Sequence, residues 1–268
     1  MYTVHKLGRQ PTLAPVGLQK LEAALARWIN NQKTWPLAYD PIWGGLVSTA
    51  SYEGRDTGFD FGNTLYNDHH FHYGYFVHAA AIIAYLHPEW LKQGLNKAWV
   101  DTLIRDYANP DVGDPYFPPC RAFDFYNGHS WATGVFSSAD GKNEESTSED
   151  AFAAYAMKMW GFVTGDANME ARGNLQLSIM RNAFNSYFFY DLDNTVQPAA
   201  FTGNVVSGIL FENKIDHATF FGGDAEFVQG IHMLPISPIT SYIRPSSFVS
   251  HEWAYLENCC GMLSATVS

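Results

Sequence analysis

Basic residues are scarce in this sequence: 16 Lys and Arg stand against 27 Asp and Glu in 268 residues, a formal net charge of −11. No basic run is long enough to follow a phosphate backbone, which excludes nucleic acid as a natural partner and disfavours polyanionic sugars and anionic membranes. Long apolar runs are missing too. The longest candidate, Phe76 to Leu86, contains His78 and stops at His87-Pro88, short of the ~18 residues a membrane span needs. The opening residues, MYTVHKLGRQPT, hold no apolar stretch of the signal-peptide kind. Cysteine is limited to Cys120, Cys259 and Cys260. An odd count without Cys-x-x-Cys or Cys/His spacing excludes a disulfide framework and a structural zinc signature, and leaves the compartment unread.

What the sequence has in quantity is aromatic surface: 8 Trp, 15 Tyr and 19 Phe, 16% of the chain. Most such rings belong in a core, because they bury large areas. A surplus on loops would suit a neutral ligand with apolar faces and many hydroxyls, which is also what the charge balance leaves open. With 47% hydrophobic residues the chain can bury a substantial core.

Helical periodicity recurs along the chain. It predicts helices over Leu18–Ile29, Tyr66–Leu86, Trp90–Tyr107, Thr147–Val163 and Met169–Phe189. Between them, Asp40–Thr64 and Asp111–Asn143 read as long loops rich in Gly, Asp, Pro and aromatics. Beyond Asn194, β-branched segments and turn signals suggest short hairpins, with Pro235, Pro238 and Pro245 breaking any long element. Loops of this length inside a compact domain are usually binding or catalytic. Helix pairs with loops gathered at one mouth suggest an (α/α) toroid, although five helices are too few to close the ring.

Two polar clusters could carry chemistry. The first, Tyr66-Asn67-Asp68-His69-His70-Phe71-His72, places Asp68 and His72 one helical turn apart on one face. The plain structural reading makes Asp68 a helix cap and the histidines satisfied core residues. A metal site is a third possibility, but His69 and His70 would point about 100° apart on a helix, and no completing motif is present. The second cluster, Lys142-Asn143-Glu144-Glu145-Ser146-Thr147-Ser148-Glu149-Asp150, packs four carboxylates ahead of an apolar helix. Ser146-x-x-Glu149 is a capping box, and acids favour a helix N-terminus. That explains Glu149 and Asp150 but not Glu145, which would sit on the loop. Between the clusters, Asn127, His129 and Trp131 on a glycine-containing turn could line a sugar subsite. Glu226 and His232, in Asp224–Pro235, are weaker candidates. Two carboxylate-bearing segments, a neutral ligand and spare aromatics together suggest glycoside hydrolysis, in which one acid protonates the leaving oxygen and one carboxylate activates water or attacks carbon.

These motifs resemble a known family. YNDHHFHYGYF (Tyr66 to Phe76), FYNGHSWATG (Phe125 to Gly134) and KNEESTSED (Lys142 to Asp150) are similar, in this order, to those of glycoside hydrolase family 81. The resemblance implies an endo-β-1,3-glucanase without cofactor or catalytic metal, acting on a laminarin-like glucan, extracellular or in a cell wall; the chain by itself leaves a cytoplasmic location open. It implies a mainly α fold in which residues 1–268 form part of an (α/α)6 catalytic domain, incomplete beside the longer family members. It also implies an inverting mechanism with Asp68 as general acid, Glu145 as general base, and His72 and Glu149 as essential partners. Tyr66, His69, Asn127, His129, Trp131 and Asn143 fall in the same motifs as candidate substrate ligands. Asp68 would have to stay protonated beside a neutral His72, while Glu145 should be ionised and wetter. Glu144 and Glu149 are the next candidates for the base. A glucan-binding fragment without catalysis, a polysaccharide lyase and a metallohydrolase are the competing readings. A lyase needs cations that this chain lacks, and a metallohydrolase would be sensitive to chelators.

Overall fold

The computed structural model describes residues 13–260 and, ahead of them, residues 3, 6 and 8. The chain is mainly helical, and its contacts divide it into two compact units. One holds the residues up to Ala122 together with Ala153–Asn174; the other holds Phe123–Phe152 together with the residues from Leu175 onward. Two of the boundaries between these units fall inside long helices.

The first unit begins with α1 (Leu13–Ile29), followed by a hairpin of β1 (Leu37–Asp40) and β2 (Gly45–Ser48). A short helix α2 (Ala50–Gly54), a 3-10 segment (Phe59–Leu65) and α3 (His69–Leu86) come next. A second 3-10 turn (Pro88–Lys92) leads to α4 (Asn96–Ala108). The single helix predicted over Trp90–Tyr107 is thus split, because Gly94 takes a left-handed φ of 50°. The predicted loop Asp40–Thr64 is likewise structured. Leu37 pairs with Ser48 and Asp40 with Gly45 in antiparallel register. Gly45 is required there, since a Cβ would lie 2.4 Å from the Tyr66 ring and 2.6 Å from the Asp106 carboxylate.

The core of this unit joins α3, α4 and the C-terminal part of α5 (Thr147–Thr164). Val77, Ala80, Ile83, Leu103, Met157 and Trp160 are buried together. The Trp160 indole N–H donates to Asp101 at 2.8 Å, satisfying the ring's polar edge. Small residues let the helices close: a Cβ on Gly74 would come within 2.9 Å of Ala153 Cα.

The second unit carries two two-stranded ribbons. In one, β3 (Phe123–Asp124) pairs with β4 (His129–Ser130); in the other, β5 (Asn143–Glu144) pairs with β6 (Leu210–Phe211). The C-terminal part of α6 (Ala167–Tyr187) is followed by α7 (Ala199–Thr202), α8 (Ala225–Gly230), α9 (Thr240–Ile243) and α10 (Ser246–Cys260). The hairpins predicted beyond Asn194 are therefore mostly helices. Pro245 stands directly ahead of a helix instead of preventing one, and its carbonyl accepts the Val249 N–H at 3.0 Å.

Phe184, Phe188, Phe189 and Phe248 are fully buried, each contributing about 1.5–3 kcal/mol by its removal from water. Within this apolar cluster lies a buried ion pair. Arg244 bonds the Glu252 carboxylate, donates to the His232 carbonyl at 2.9 Å and lies 4.8 Å from the centre of the Phe189 ring. Breaking such a pair strands a charge in a medium that cannot solvate it. Glu252→Ala is therefore expected to destabilise the fold by about 3–5 kcal/mol in urea unfolding. A loss below about 1 kcal/mol, the range of solvent-exposed pairs, would show that Arg244 reaches water.

Candidate active site

The first unit presents Asp68 and His72. Approaching them, the chain takes left-handed backbone at Asp60, Phe61, Gly62, Tyr66 and Asp68. Such geometry is costly for residues with a Cβ and concentrates at functional sites. Asp68 occupies the N-cap position of α3 with φ 58°, and its side chain makes no capping hydrogen bond. The reading of Asp68 as a simple cap is therefore not what the backbone adopts. Its half-buried carboxyl lies one turn from His72, whose N–H donates to the Asp68 carbonyl at 2.9 Å.

His72 lines a hollow of about 270 Å³ with Trp28, Lys33, Asp60 and Tyr75. Burial lowers its pKa; the Asp60 charge opposes this and His69 adds to it. The ring is therefore neutral at neutral pH, as a hydrogen-bonding role requires. Lys33 sits over the Trp28 ring at 4.0 Å. Burial pushes its pKa down to about 8, with Asp60 pulling the other way. Neither Lys33 nor Asp60 was singled out by sequence, since each lies in a polar stretch that reads as ordinary surface.

Two of the expected substrate ligands in this unit are committed elsewhere. His69 is buried, with Nδ1 2.6 Å from Asp106 Oδ1 and Nε2 2.9 Å from the Asn63 carbonyl. Both ring nitrogens face acceptors, so His69 anchors the start of α3, and its assignment to substrate is corrected. Tyr66 is also buried, and its hydroxyl donates to Asp40 at 2.8 Å beneath the Arg121 guanidinium.

The second unit presents Glu145 and Glu149. Glu145 follows β5 and precedes α5, outside the helix as its position ahead of the capping box implied. Within that box the Glu149 N–H donates to Ser146 Oγ at 3.3 Å. The helix start is also held by His232, whose Nδ1 lies 3.3 Å from the Thr147 N–H and whose Nε2 lies 2.7 Å from the Gly208 carbonyl. Burial pushes the His232 pKa down to about 3, so the ring is neutral and can accept at one nitrogen while donating at the other. His232 is a positioning residue for this segment.

Burial, and next to it the neighbouring Glu149 charge, push the Glu145 pKa up to about 7. The expectation of a wetter, freely ionised Glu145 is thus corrected: the group is half-buried and poised to exchange a proton near neutrality. Glu144, the adjacent candidate, is wholly buried on the other side of the strand's alternation. Asp150 is buried as well and accepts the Ser130 N–H at 2.8 Å; burial pushes its pKa up to about 7, against the pull of Ser130.

The remaining candidates form a rigid wall. Asp124 accepts from the Trp131 indole at 3.0 Å, from the Asn127 amide at 2.7 Å and from the Tyr126 backbone at 2.8 Å. Burial alone would raise its pKa, but these donors hold it well below the usual carboxylate range. Trp131 and Asn127 are partly exposed on this frame. His129 is buried between Trp131 and Phe188, with Nδ1 2.8 Å from the Ser130 carbonyl; it supports the wall and does not line it. Asn143 donates its backbone N–H to Thr133 at 2.7 Å and is half-buried. Among the described residues, no group of three or more His, Cys, Asp or Glu side chains is placed to hold a metal ion.

Comparison with known proteins defines the class. The sequence model of the glycosyl hydrolase family 81 C-terminal domain matches residues 1–262. The chain is 54% identical to a glucan endo-1,3-beta-D-glucosidase of Arthroderma benhamiae, over 94% of this chain and 28% of that protein. It is 53% identical to the primary septum glucan endo-1,3-beta-D-glucosidase of Schizosaccharomyces pombe, over 94% of this chain and 24% of that protein. A solved glycoside hydrolase family 81 structure from Clostridium thermocellum superposes with a TM-score of 0.80 at 32% identity, over 91% of this chain and 33% of that one. The chain belongs to glycoside hydrolase family 81, and it spans about a quarter to a third of the length of these relatives.

The electrostatics of Glu145 can be tested without any assay of function. A carbon-13 titration of its carboxyl should show a midpoint near pH 7. Glu149→Gln should move that midpoint down, but only part of the way to an ordinary glutamate, because burial is the larger cause. The sign for stability follows: the raised pKa favours the fold fully below the unfolded-state value, and this contribution is lost as pH rises through about 7.

Proposed function

We propose that this chain is catalytic machinery of an enzyme that hydrolyses internal β-1,3-glucosidic bonds of β-glucan with inversion. Asp68 acts as the general acid and Glu145 as the general base; His72 and Glu149 position and tune them. The observation that carries the reading is the state of Glu145: a carboxyl held outside its helix, with a proton affinity raised to match neutral water chemistry. The names of the relatives supply the substrate, β-1,3-glucan. The charge balance of −11 suits a neutral polysaccharide, and partly exposed Trp131, held by Asp124, is a candidate to contact it. The septum relative supports a cell-wall setting, and no helix among the described residues is long and apolar enough to cross a membrane.

In this mechanism protonated Asp68 gives its proton to the glycosidic oxygen as the bond to the anomeric carbon breaks. Ionised Glu145 removes a proton from a water that attacks the opposite face of that carbon, which requires the two carboxyl groups to stand roughly 6.5–9.5 Å apart. Neutral His72 bonds near the acid without the cationic charge that would strip its proton. Glu149, by its negative charge, keeps Glu145 a stronger base than an isolated glutamate.

The raised pKa of Glu145 also favours a second reading, in which Glu145 is the acid and the roles are exchanged. One variant separates the two. In the full-length protein, Glu145→Gln should lower turnover of laminarin by about 10²–10⁴-fold while glucan binding persists. If Glu145 is the base, an aryl β-laminarioligoside with a good leaving group should suffer the same loss, because water activation is still needed. Retained cleavage of the aryl substrate would assign Glu145 as the acid. Retained turnover of laminarin would remove Glu145 from the chemistry altogether.

A further inference from the structure

In the first unit, three consecutive residues ahead of Asp68 take a left-handed turn. They are Asp60 (φ 52°, ψ 41°), Phe61 (φ 54°, ψ 31°) and Gly62 (φ 76°, ψ 15°). Residues with a Cβ enter this region singly and at a cost, because Cβ crowds the following carbonyl oxygen. Burial does not offset that cost here, since Phe61 is 74% exposed and Asp60 is exposed as well. A strained turn that buries so little points to a functional constraint.

The contacts of the turn show what it constrains. The Asn67 side-chain amide donates to the Phe61 carbonyl at 3.0 Å, and the Asn67 backbone N–H donates to the Gly62 carbonyl at 3.2 Å. Glycine at position 62 permits this approach, because a Cβ there would lie 3.1 Å from Asn67 Cβ. Asn67 is thus seated on the turn through both its main chain and its side chain.

Asn67 stands between Tyr66 and Asp68, whose backbones are also left-handed, with φ 69° and 58°. The seat of Asn67 therefore sets where the chain delivers Asp68. The helix cap does not supply that placement, because the Asp68 side chain makes no capping hydrogen bond. The same turn reaches His72: the Phe61 ring meets the imidazole edge-on with centres 5.7 Å apart, and both line the hollow of about 270 Å³. One turn thus bears on both members of the Asp68–His72 pair.

We propose that Asn67, seated on the left-handed turn Asp60–Gly62, is a positioning residue for Asp68 and acts on the reaction through it. The chemistry of that action, proton delivery to the glycosidic oxygen, rests on the reading of Asp68 as the general acid.

The test is a double-mutant cycle in the full-length protein, with kcat measured on laminarin and on an aryl β-laminarioligoside whose leaving group needs no proton. Asn67→Ala should lower turnover of laminarin by up to about a hundredfold, the cost of misplacing a reacting group by about 1 Å. It should spare the aryl substrate, as Asp68→Asn should. The residual laminarin turnover of Asp68→Asn should fall no further when Asn67→Ala is added, because residues that act as a unit are not additive. Unchanged turnover in Asn67→Ala overturns the proposal. So does a loss that adds to that of Asp68→Asn, which would show that Asn67 serves the fold alone. Asn67→Asp keeps the shape and removes the donor to the Phe61 carbonyl, so it carries the same cycle if the alanine variant does not fold. If Asp68→Asn loses both substrates alike, the general-acid reading falls by itself; Asn67→Ala must then lose both alike and without additivity, and any other pattern overturns the coupling.

Discussion

One buried carboxylate governs the segment that carries Asp68. Asp106 has no exposed surface, yet it sits on α4 among apolar neighbours. A lone charge in that position would be prohibitively expensive. It is stabilised from three sides: the Leu46 N–H donates at 2.8 Å, His69 Nδ1 lies 2.6 Å away, and the Arg121 guanidinium approaches to 4.0 Å. Each partner belongs to a different piece of chain, so the carboxylate fixes the β1–β2 hairpin, the start of α3 and the segment before β3 against α4. His69 follows Asp68 directly. The left-handed turn that leaves the Asp68 side chain free of capping duty depends on His69 being held in place.

The second unit repeats the device with other groups. Asp150 draws in the Ser130 backbone, Asp124 gathers Trp131 and Asn127, and neutral His232 completes the first turn of α5. These buried or semi-buried polar residues are satisfied inside the protein and give the frame its rigidity. Glu145 and Asp68 are placed by such neighbours and are only half-buried themselves.

The helices were largely legible in the sequence because burial imposes a period on it. Phe152, Met157 and Trp160 on α5, and Val77, Ala80 and Ala84 on α3, are the residues that the core takes in. The turns were less legible. The hairpin over Leu37–Ser48 was hidden by its Asp- and Gly-rich connection, and α10 by the proline in front of it. The segments around Asp68 and Glu145 could be picked out as clusters, but not the direction of each side chain. Adjacent histidines turn about 100° from one another on a helix; which of His69, His70 and His72 faces inward depends on Asp106, 37 residues away from His69. Nothing local to Asp106 in a sequence reading Arg-Asp-Tyr marks it as buried. The Glu145 environment is equally non-local, since its raised pKa comes from burial and not from the loop's own acidic composition alone.

The central claim is that Asp68 and Glu145 carry out a single displacement in which water replaces the leaving sugar on the opposite face of the anomeric carbon. Proton NMR of laminarin hydrolysis by the full-length protein, recorded before mutarotation, tests it directly. The account predicts that the reducing end first released is the α-anomer. A β-anomer appearing first would mean two displacements through a glycosyl-enzyme, and the assignment of Glu145 as a base acting on water would be contradicted.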